Sequence, residues 1–376
     1  MSSYSEDGGS LYSTRSVLLA VTCTLKMITM ITLAAAAANN IGPYGGVDQQ
    51  AEAAWLAAFP HLPLPSTVLL EESPLTSQQS SSWSMKLASR TVPFAQLSAQ
   101  ESSQLCSEAR LLCTPTPRLR SPLPDDTDYL PGDWIIYSES APSKDVEPIP
   151  PGRFFKLEQL SERATMILPN LNHPVSSTPY LPHALAQHLP VNTPTSIPSF
   201  LSLLGISNSS AMGYVINGII QRCSKKEDPQ GQVKRCAASI EGMISFVEER
   251  LGNAVQVLES QPTPQFLQSA TSNMVTVKSL ISRSTSTATN NVVCHKLLFP
   301  SMLRGCHELA STKVYEAQLQ IHGYNHGNPT YAVAVCHFDT SKWNAAHPSF
   351  HLLKMSPGKG TICHWIRADE HVWLRV

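Results

Sequence analysis

Four Cys-His dipeptides near the C-terminus are the feature that most constrains the fold of this 376-residue chain. The dipeptides are Cys294-His295, Cys306-His307, Cys336-His337 and Cys363-His364. They fall within the last 83 residues, and this segment holds nine of the thirteen histidines, so the enrichment is local. Neighbouring side chains on a β-strand point to opposite faces. A strand that carries Cys-His therefore presents sulfur on one face and imidazole on the other.

Residues 1–38 have the pattern of a secretory signal peptide. A basic residue, Lys26, precedes an uncharged apolar run that ends in three alanines, the small residues typical of a cleavage site. The run from Met27 to Ala38 is too short to span a bilayer. We therefore expect secretion after cleavage near Ala38, with Met1 or Met27 as the initiator. The alternative is a cytosolic or plastid protein with an apolar start.

The number of cysteines agrees with an oxidising compartment. Removal of the signal also removes Cys23 and leaves eight cysteines, so disulfides are the default in the mature chain. Short loops close at a small entropic cost, which favours the pairs Cys106–Cys113 and Cys223–Cys236. The four remaining cysteines all belong to the dipeptides, and their pairing stays open: Cys294, Cys306, Cys336 and Cys363.

The histidines of the dipeptides are the candidate metal ligands. They are His295, His307, His337 and His364. Neutral imidazoles suit a borderline divalent ion such as Cu(II) or Zn(II). Two alternatives stay open: a mixed Cys/His zinc site, which needs reduced thiolates and so fits secretion poorly, and hydrogen bonding across a sheet. Lesser candidates are His322, His326, His347 and His371, with Asp339 as a carboxylate that orients an imidazole and Trp343 in the core.

Charge and motifs exclude several classes of function. A net charge of −1 and a pI near 6.9 give no electrostatic reason to expect nucleic acid or anionic lipid as a partner. The sequence has no Gly-rich phosphate loop, no HExxH and no GxSxG, which argues against NTPases and the common hydrolases. Asn208 begins an Asn-Ser-Ser sequon, a glycosylation acceptor in a secreted chain.

The distribution of proline and of apolar periodicity divides the mature chain. We expect residues 39–152 to be a variable, Pro/Ser-rich and mostly irregular region, and residues 153–376 to form the folded domain. Apolar residues at helical spacing lie just ahead of Cys223 and again just after Cys236, where Gly252 marks the helix end. A disulfide between these cysteines would close a helical hairpin.

Short strand-like runs follow Thr285, rich in β-branched and aromatic residues and separated by Gly and Pro. They are Val314–Ile321, Tyr331–His337, Phe350–Met355, Thr361–Ile366 and His371–Val376. Such runs predict an antiparallel sheet or a small barrel. The fold class is therefore α+β: a helical hairpin followed by an antiparallel β-rich C-terminal domain, with a largely irregular region before it.

The spaced Cys-His quartet resembles the pattern of the BURP domain, which lies at the C-terminus of secreted plant proteins. The resemblance extends to the segment from Tyr331 to His347 and to the ending Glu370-His371-Val372-Trp373, and it covers residues 153–376. One departure is the second gap of 28 residues, which is longer than the usual interval of that family and places extra length near Gly323–Pro329.

The resemblance implies a secreted protein of the apoplast, cell wall or secretory-pathway lumen that acts in development or stress response. Its implied partners are cell-wall polysaccharide or a wall enzyme, with no membrane contact after signal removal. The aromatic repeats that precede the domain in the polygalacturonase beta-subunit type are missing here. The alternative is a copper-dependent peptide cyclase that couples a Tyr or Trp side chain within a core peptide. The stretches around Tyr44 and Trp83 are poor core peptides.

Signal removal is directly testable. We expect N-terminal sequencing of the protein secreted from a plant or yeast host to begin close to Asn39, because the apolar run ends in small residues at Ala36–Ala38. Recovery of an intact Met1 on a cytosolic product would contradict secretion.

Overall fold

The computed structural model describes residues 49–113, 151–171, 178–191, 196–225, 233–263, 273–284, 291–323 and 329–376. The predicted signal, residues 1–38, and His326 lie outside this part of the chain. Within it the fold is α+β, as the sequence predicts, with helices packed around two antiparallel sheets.

The described residues contain nine α-helices. They are α1 (Gln49–Ala58), α2 (Ser66–Leu69), α3 (Ser77–Ala88), α4 (Ala99–Glu108), α5 (His183–Ala186), α6 (Ile197–Leu204), α7 (Ala211–Cys223), α8 (Ile240–Leu251) and α9 (Pro348–Leu353). In this part of the chain, no helix combines the length and the apolarity needed to cross a membrane.

The strands of the described residues number eleven. They are β1 (Phe154–Lys156), β2 (Thr165–Leu168), β3 (Lys234–Ala237), β4 (Val255–Leu258), β5 (Asn273–Ser282), β6 (Asn291–Lys296), β7 (Arg304–Leu309), β8 (Thr312–Ile321), β9 (Thr330–His337), β10 (Ile362–Trp365) and β11 (His371–Arg375). Sheet I has the order β1-β10-β9-β8-β5-β2, and sheet II has the order β3-β7-β6-β11-β4. All of their pairings are antiparallel.

A layer of aliphatic side chains lies between the two sheets. Sheet I contributes valines at positions 314, 333 and 335, and sheet II contributes Val293, Val372 and Leu374. The opposite face of sheet I contributes Trp365 to a second cluster, and the opposite face of sheet II contributes Trp373 to a cluster with α8. Each sheet is thus buried on both faces near its centre.

Helices α1 to α4 fall inside the region 39–152, which the sequence analysis expects to be mostly irregular. Trp55 of α1 is fully buried and lies 5.4 Å from the Trp373 ring of sheet II. Trp83 and Leu87 of α3 join the cluster formed by α4, α6 and α7. These residues have no core of their own, and their apolar faces are buried against the rest of the fold. Residues 114–150 lie outside the described part.

Two disulfides hold the helical region, and both join the cysteines that the short loops favour. They are Cys106–Cys113 and Cys223–Cys236. Cys223 ends α7, whereas Cys236 lies on β3, so a short strand of sheet II interrupts the connection between the two predicted helices. Helix α7 packs into the cluster of α3 to α6, and α8 packs into the cluster beneath sheet II.

One predicted strand is wrong. Residues Phe350–Met355 do not form a strand, because Pro348–Leu353 is the helix α9. Pro348 occupies the first helical turn, where its missing N–H costs nothing, and the backbone N–H of Ser349 donates to the Nδ1 atom of His347 at the N-cap. Local capping therefore outweighs the apolar composition of the segment.

A buried ion pair joins the N-terminal helical region to sheet II. The Arg304 guanidinium on β7 donates to Glu71 Oε2 at 2.6 Å and to the Tyr180 hydroxyl at 2.8 Å. The backbone N–H of Tyr180 donates to the Glu71 carbonyl at 2.6 Å. Both charged side chains are almost fully buried. A paired buried charge is tolerated, but an unpaired one is strongly destabilising.

Removal of the Glu71 charge should therefore destabilise the whole protein. We expect Glu71→Gln to lower the free energy of unfolding by about 3–5 kcal/mol, because it removes the carboxylate that pairs directly with the buried Arg304 guanidinium. Urea denaturation followed by far-UV circular dichroism measures the change. The matched control is Glu249→Gln, which removes an exposed ion pair with Arg235. Equal stability of the two variants would contradict the role of this pair.

Candidate metal centre

The register of the sheets brings the Cys-His strands together in pairs. In sheet I, Cys363 on β10 lies directly opposite Cys336 on β9, and in sheet II Cys294 on β6 lies directly opposite Cys306 on β7. Each opposed pair forms a disulfide. All four sulfurs are therefore cross-links rather than thiolate ligands, which removes the mixed Cys/His zinc site from consideration.

The four adjacent histidines lie on the opposite faces of the same strands, between the two sheets. His364 pairs with Val335 and His307 pairs with Val293, and both of these valines belong to the layer between the sheets. The His337 and His364 rings stack at 5.4 Å between centroids, and the His295 and His307 rings stack at 5.5 Å. The rings of His295 and His364 join the two pairs at 6.1 Å. We call these four residues the imidazole cluster.

One distance in the imidazole cluster fits a shared metal ion. The Nε2 atoms of His337 and His364 lie 3.3 Å apart. In the metal-free protein this contact meets the geometry of a hydrogen bond in which one of the two Nε2 atoms carries the proton. Two nitrogens that bind one tetrahedral ion at about 2.0–2.1 Å lie about 3.3 Å apart. The spacing therefore matches two ligands of a single ion.

Burial favours the neutral state of three of these imidazoles, which is the state that a metal ion requires. Burial lowers the pKa of His337 to about 3, and the nearby His347 and His295 add to the effect. Burial likewise holds the pKa of His307 and of His364 well below its usual range, and neighbouring histidines reinforce both shifts. These three rings are therefore neutral nitrogen donors that can bind a cation without releasing a proton.

The rings are arranged in stacked pairs rather than around one point. Within the part of the chain that the structure describes, no three His, Cys, Asp or Glu side chains converge as ligands of one ion. The residue types and the nitrogen spacing of one pair fit a metal ion.

The other candidates from the sequence lie away from the imidazole cluster, with one exception. His322 is on the surface, where Thr276 contacts its Nε2 at 2.8 Å. His371 points to the other face of sheet II, where its Nε2 contacts Glu259 at 2.7 Å. Asp339 is exposed and accepts hydrogen bonds from Ser341, so it orients no imidazole. The exception is His347, whose ring contacts Trp343, and Trp343 in turn contacts His337 of the cluster.

Aromatic side chains border the imidazole cluster on the side of α9. Trp343 is half-buried and contacts the His337 ring at 4.9 Å and the His347 ring at 4.8 Å. Phe154 of β1 lies against His347 and His364. The sequence predicts that Trp343 packs in the core. In the structure, Trp343 packs against Phe350 at the margin of the imidazole cluster.

Two buried residues of the site do not emerge from the sequence analysis. Glu370 is fully buried and contacts His295 Nδ1 at 3.1 Å. Arg153 is also buried, and its guanidinium donates to the Trp365 carbonyl at 2.8 Å. In the sequence, a charged residue at the end of a strand is typical of a solvated position. Only the tertiary structure shows that Glu370 lies between the sheets and faces an imidazole.

The sequon is placed where glycosylation is sterically feasible. Asn208 is exposed in the turn before α7, and its Oδ1 accepts a hydrogen bond from Asn217 at 2.8 Å. Its modification stays a prediction.

The metal-free protein should lose stability as the pH falls below about 6.5, the usual pKa of histidine. His337 in the unfolded chain gains a proton near that pH, whereas in the folded chain it stays neutral down to about 3. The unfolded state therefore binds more protons in this interval, and His337 alone lowers the free energy of unfolding by about 1.4 kcal/mol per pH unit. Urea denaturation between about pH 7.5 and pH 5 should show a smaller pH dependence for His337→Gln than for the wild type.

The control for this experiment is His322→Gln, which removes a surface histidine outside the imidazole cluster. Equal pH dependence in the wild type and in His337→Gln would show that the buried ring is not held neutral.

Comparisons with known proteins show that this chain is similar to several plant proteins. The tomato (Solanum lycopersicum) protein named polygalacturonase non-catalytic subunit AroGP2 is 30% identical over 225 residues, which are 60% of this chain and 34% of that protein. The Arabidopsis thaliana polygalacturonase 1 beta-like protein 2 is 29% identical over 226 residues, with similar coverage of 59% and 34%. The chain thus spans about a third of the length of these relatives.

A rice relative matches over a larger share of both chains. The BURP domain-containing protein 16 of Oryza sativa subsp. japonica is 28% identical over 325 residues, which are 85% of this chain and 87% of that protein. The sequence model of the BURP domain matches residues 153–375, and this range contains all four Cys-His dipeptides. The chain therefore belongs to the BURP domain family.

Proposed function

We propose that this chain is a secreted plant protein of the apoplast or cell wall, and that its BURP domain binds copper through the imidazole cluster. The observation that carries the proposal is the 3.3 Å separation of His337 Nε2 and His364 Nε2 between the sheets. Four disulfides support an oxidising, extracytosolic location. The names of the relatives support an association with the cell wall.

The chemistry of the donors favours copper over zinc. The four nearest sulfurs are held in disulfides and cannot serve as thiolates, so the cluster offers imidazole nitrogen alone. Cu(II) binds nitrogen donors more tightly than the other first-row divalent ions, and it accepts several coordination geometries. The bound ion would supply redox or Lewis-acid chemistry at this position.

The partner that we infer is a wall enzyme. Relatives from tomato carry the name non-catalytic subunit of polygalacturonase, which describes a protein that accompanies an enzyme. The match to the tomato protein AroGP2 covers 225 residues, which are about a third of the length of that protein. We therefore propose that the BURP domain contacts the wall enzyme or the wall polysaccharide. We also propose that the protein acts in development or stress response.

A second candidate function is a copper-dependent peptide cyclase. The observation that favours it is the half-buried Trp343 at the margin of the cluster, 4.9 Å from His337, where a peptide side chain could approach. Oxidative coupling of a Tyr or Trp removes two hydrogens, and their electrons pass to an oxidant such as dioxygen. Intact-mass analysis of added peptides for a loss of about 2 Da tests this function.

Copper content of purified variants tests the proposal. We expect His337→Ala and His364→Ala to lose most of the copper measured by elemental mass spectrometry, because each removes one of the two closest nitrogens. The control His322→Ala lies outside the cluster and should keep the wild-type content.

Cys336→Ser should instead reduce secretion, because it breaks a disulfide of sheet I, and loss of a native disulfide typically costs about 2–5 kcal/mol.

The two classes of variant separate the ligands from the scaffold. A wild-type protein without copper after copper loading would refute the proposal, as would full stoichiometry in all four His→Ala variants of the imidazole cluster.

A further inference from the structure

A buried carboxylate approaches the imidazole cluster from the start of β11. Glu370 is fully buried, and its Oε1 lies 3.1 Å from the Nδ1 atom of His295. Its Oε2 accepts a hydrogen bond from the backbone N–H of Arg367 at 3.1 Å. Among the described residues, Oε1 has no hydrogen-bond partner of standard geometry. A buried carboxylate oxygen without a donor is costly, so the His295 ring is the group that can satisfy it.

The position of the carboxylate determines which nitrogen of His295 can act as a ligand. A carboxylate oxygen accepts hydrogen bonds, and Oε1 lies against Nδ1 of this ring. A His295 ring that donates its Nδ1–H group to this oxygen keeps the lone pair of its Nε2 available for a metal ion.

Two other imidazoles of the cluster have backbone partners. The Nδ1 atom of His364 faces the Trp365 carbonyl at 3.4 Å, which leaves its Nε2 toward His337. The backbone of Glu308 hydrogen-bonds His307. His295 differs from these two rings because a carboxylate lies against its Nδ1 atom.

We propose that Glu370 is a positioning residue for the metal centre: its carboxylate fixes the tautomer and the ring orientation of His295 and so presents Nε2 as a ligand. This inference rests on the proposed function, because it assigns a role toward the same ion. A carboxylate on the outer nitrogen also increases the basicity of the ligating nitrogen. Such partners typically change metal affinity by about 10–100-fold when they are removed.

The structure also offers a matched pair that has no such role. His371 and Glu259 form a second buried imidazole–carboxylate contact, at 2.7 Å, on the opposite face of sheet II. This histidine lies outside the imidazole cluster. If Glu370 acts only as a structural ion pair, its removal and the removal of Glu259 should have the same consequences.

The first experiment needs no variant and no metal. Long-range ¹H–¹⁵N NMR spectra of the metal-free, ¹⁵N-labelled full chain report which ring nitrogen of His295 is protonated, with His295→Gln to assign the signal. We expect the Nδ1–H tautomer. A neutral His295 protonated on Nε2 would overturn the proposal, whatever the protein does with copper.

The second experiment measures Cu(II) affinity in competition with a chelator. We expect Glu370→Gln to weaken Cu(II) binding by about 10–100-fold, and Glu370→Asp, which keeps the charge, to recover part of the loss. Glu259→Gln should bind Cu(II) as the wild type does. Circular dichroism and the count of four disulfides by intact mass confirm that each variant is folded.

The outcomes distinguish the two proposals. A wild type that binds no copper refutes the proposed function, and the tautomer of His295 still decides whether Glu370 orients the ring. If His337→Ala and His364→Ala lose copper while Glu370→Gln and Glu370→Asp bind it with wild-type affinity, the metal site stands and the role of Glu370 is refuted. If Glu370→Gln does not fold, Glu370→Asp and the wild-type spectrum decide.

Discussion

Each sheet of this protein depends on a disulfide between two directly opposed cysteines. Because Cys336 faces Cys363 and Cys294 faces Cys306, the register of both strand pairs is fixed, and a shift by one residue would break the bond. The residue after each cysteine then points to the other face of the sheet. Four histidines are thereby placed between the sheets, and the cross-link and the site are consequences of the same register.

The electrostatics of the space between the sheets follow from this placement. Four imidazoles in an apolar layer of valines cannot all be charged, because burial and mutual repulsion both oppose protonation. The anionic group that contacts the cluster is Glu370, whose own charge is stabilised by Arg153 and Arg367. The proposed metal site therefore rests on a nitrogen-rich cluster with a buried carboxylate beside it.

The folded unit extends beyond the region that matches the family. The match covers residues 153–375, yet Trp55, Glu71 and Trp83 are buried against that region. The described residues belong to one compact unit, in which the Glu71–Arg304 ion pair joins the N-terminal helices to sheet II. The rice relative aligns over 325 residues, more than the 223 positions from 153 to 375, so its similarity also extends outside the domain.

The sequence by itself determined the α+β class, the helix of Ile240–Leu251 and the division of sulfur and imidazole between two faces, because these depend on local periodicity and adjacency. The composition of Phe350–Met355 predicted a strand, but Pro348–Leu353 is a helix because His347 caps its N-terminus. Only the tertiary structure decided which Cys-His strands pair, that the two histidine pairs meet, and that Glu370 faces His295. The physical reason is that pairing, burial and the desolvation of charge arise between segments far apart in the chain, and no local pattern encodes them.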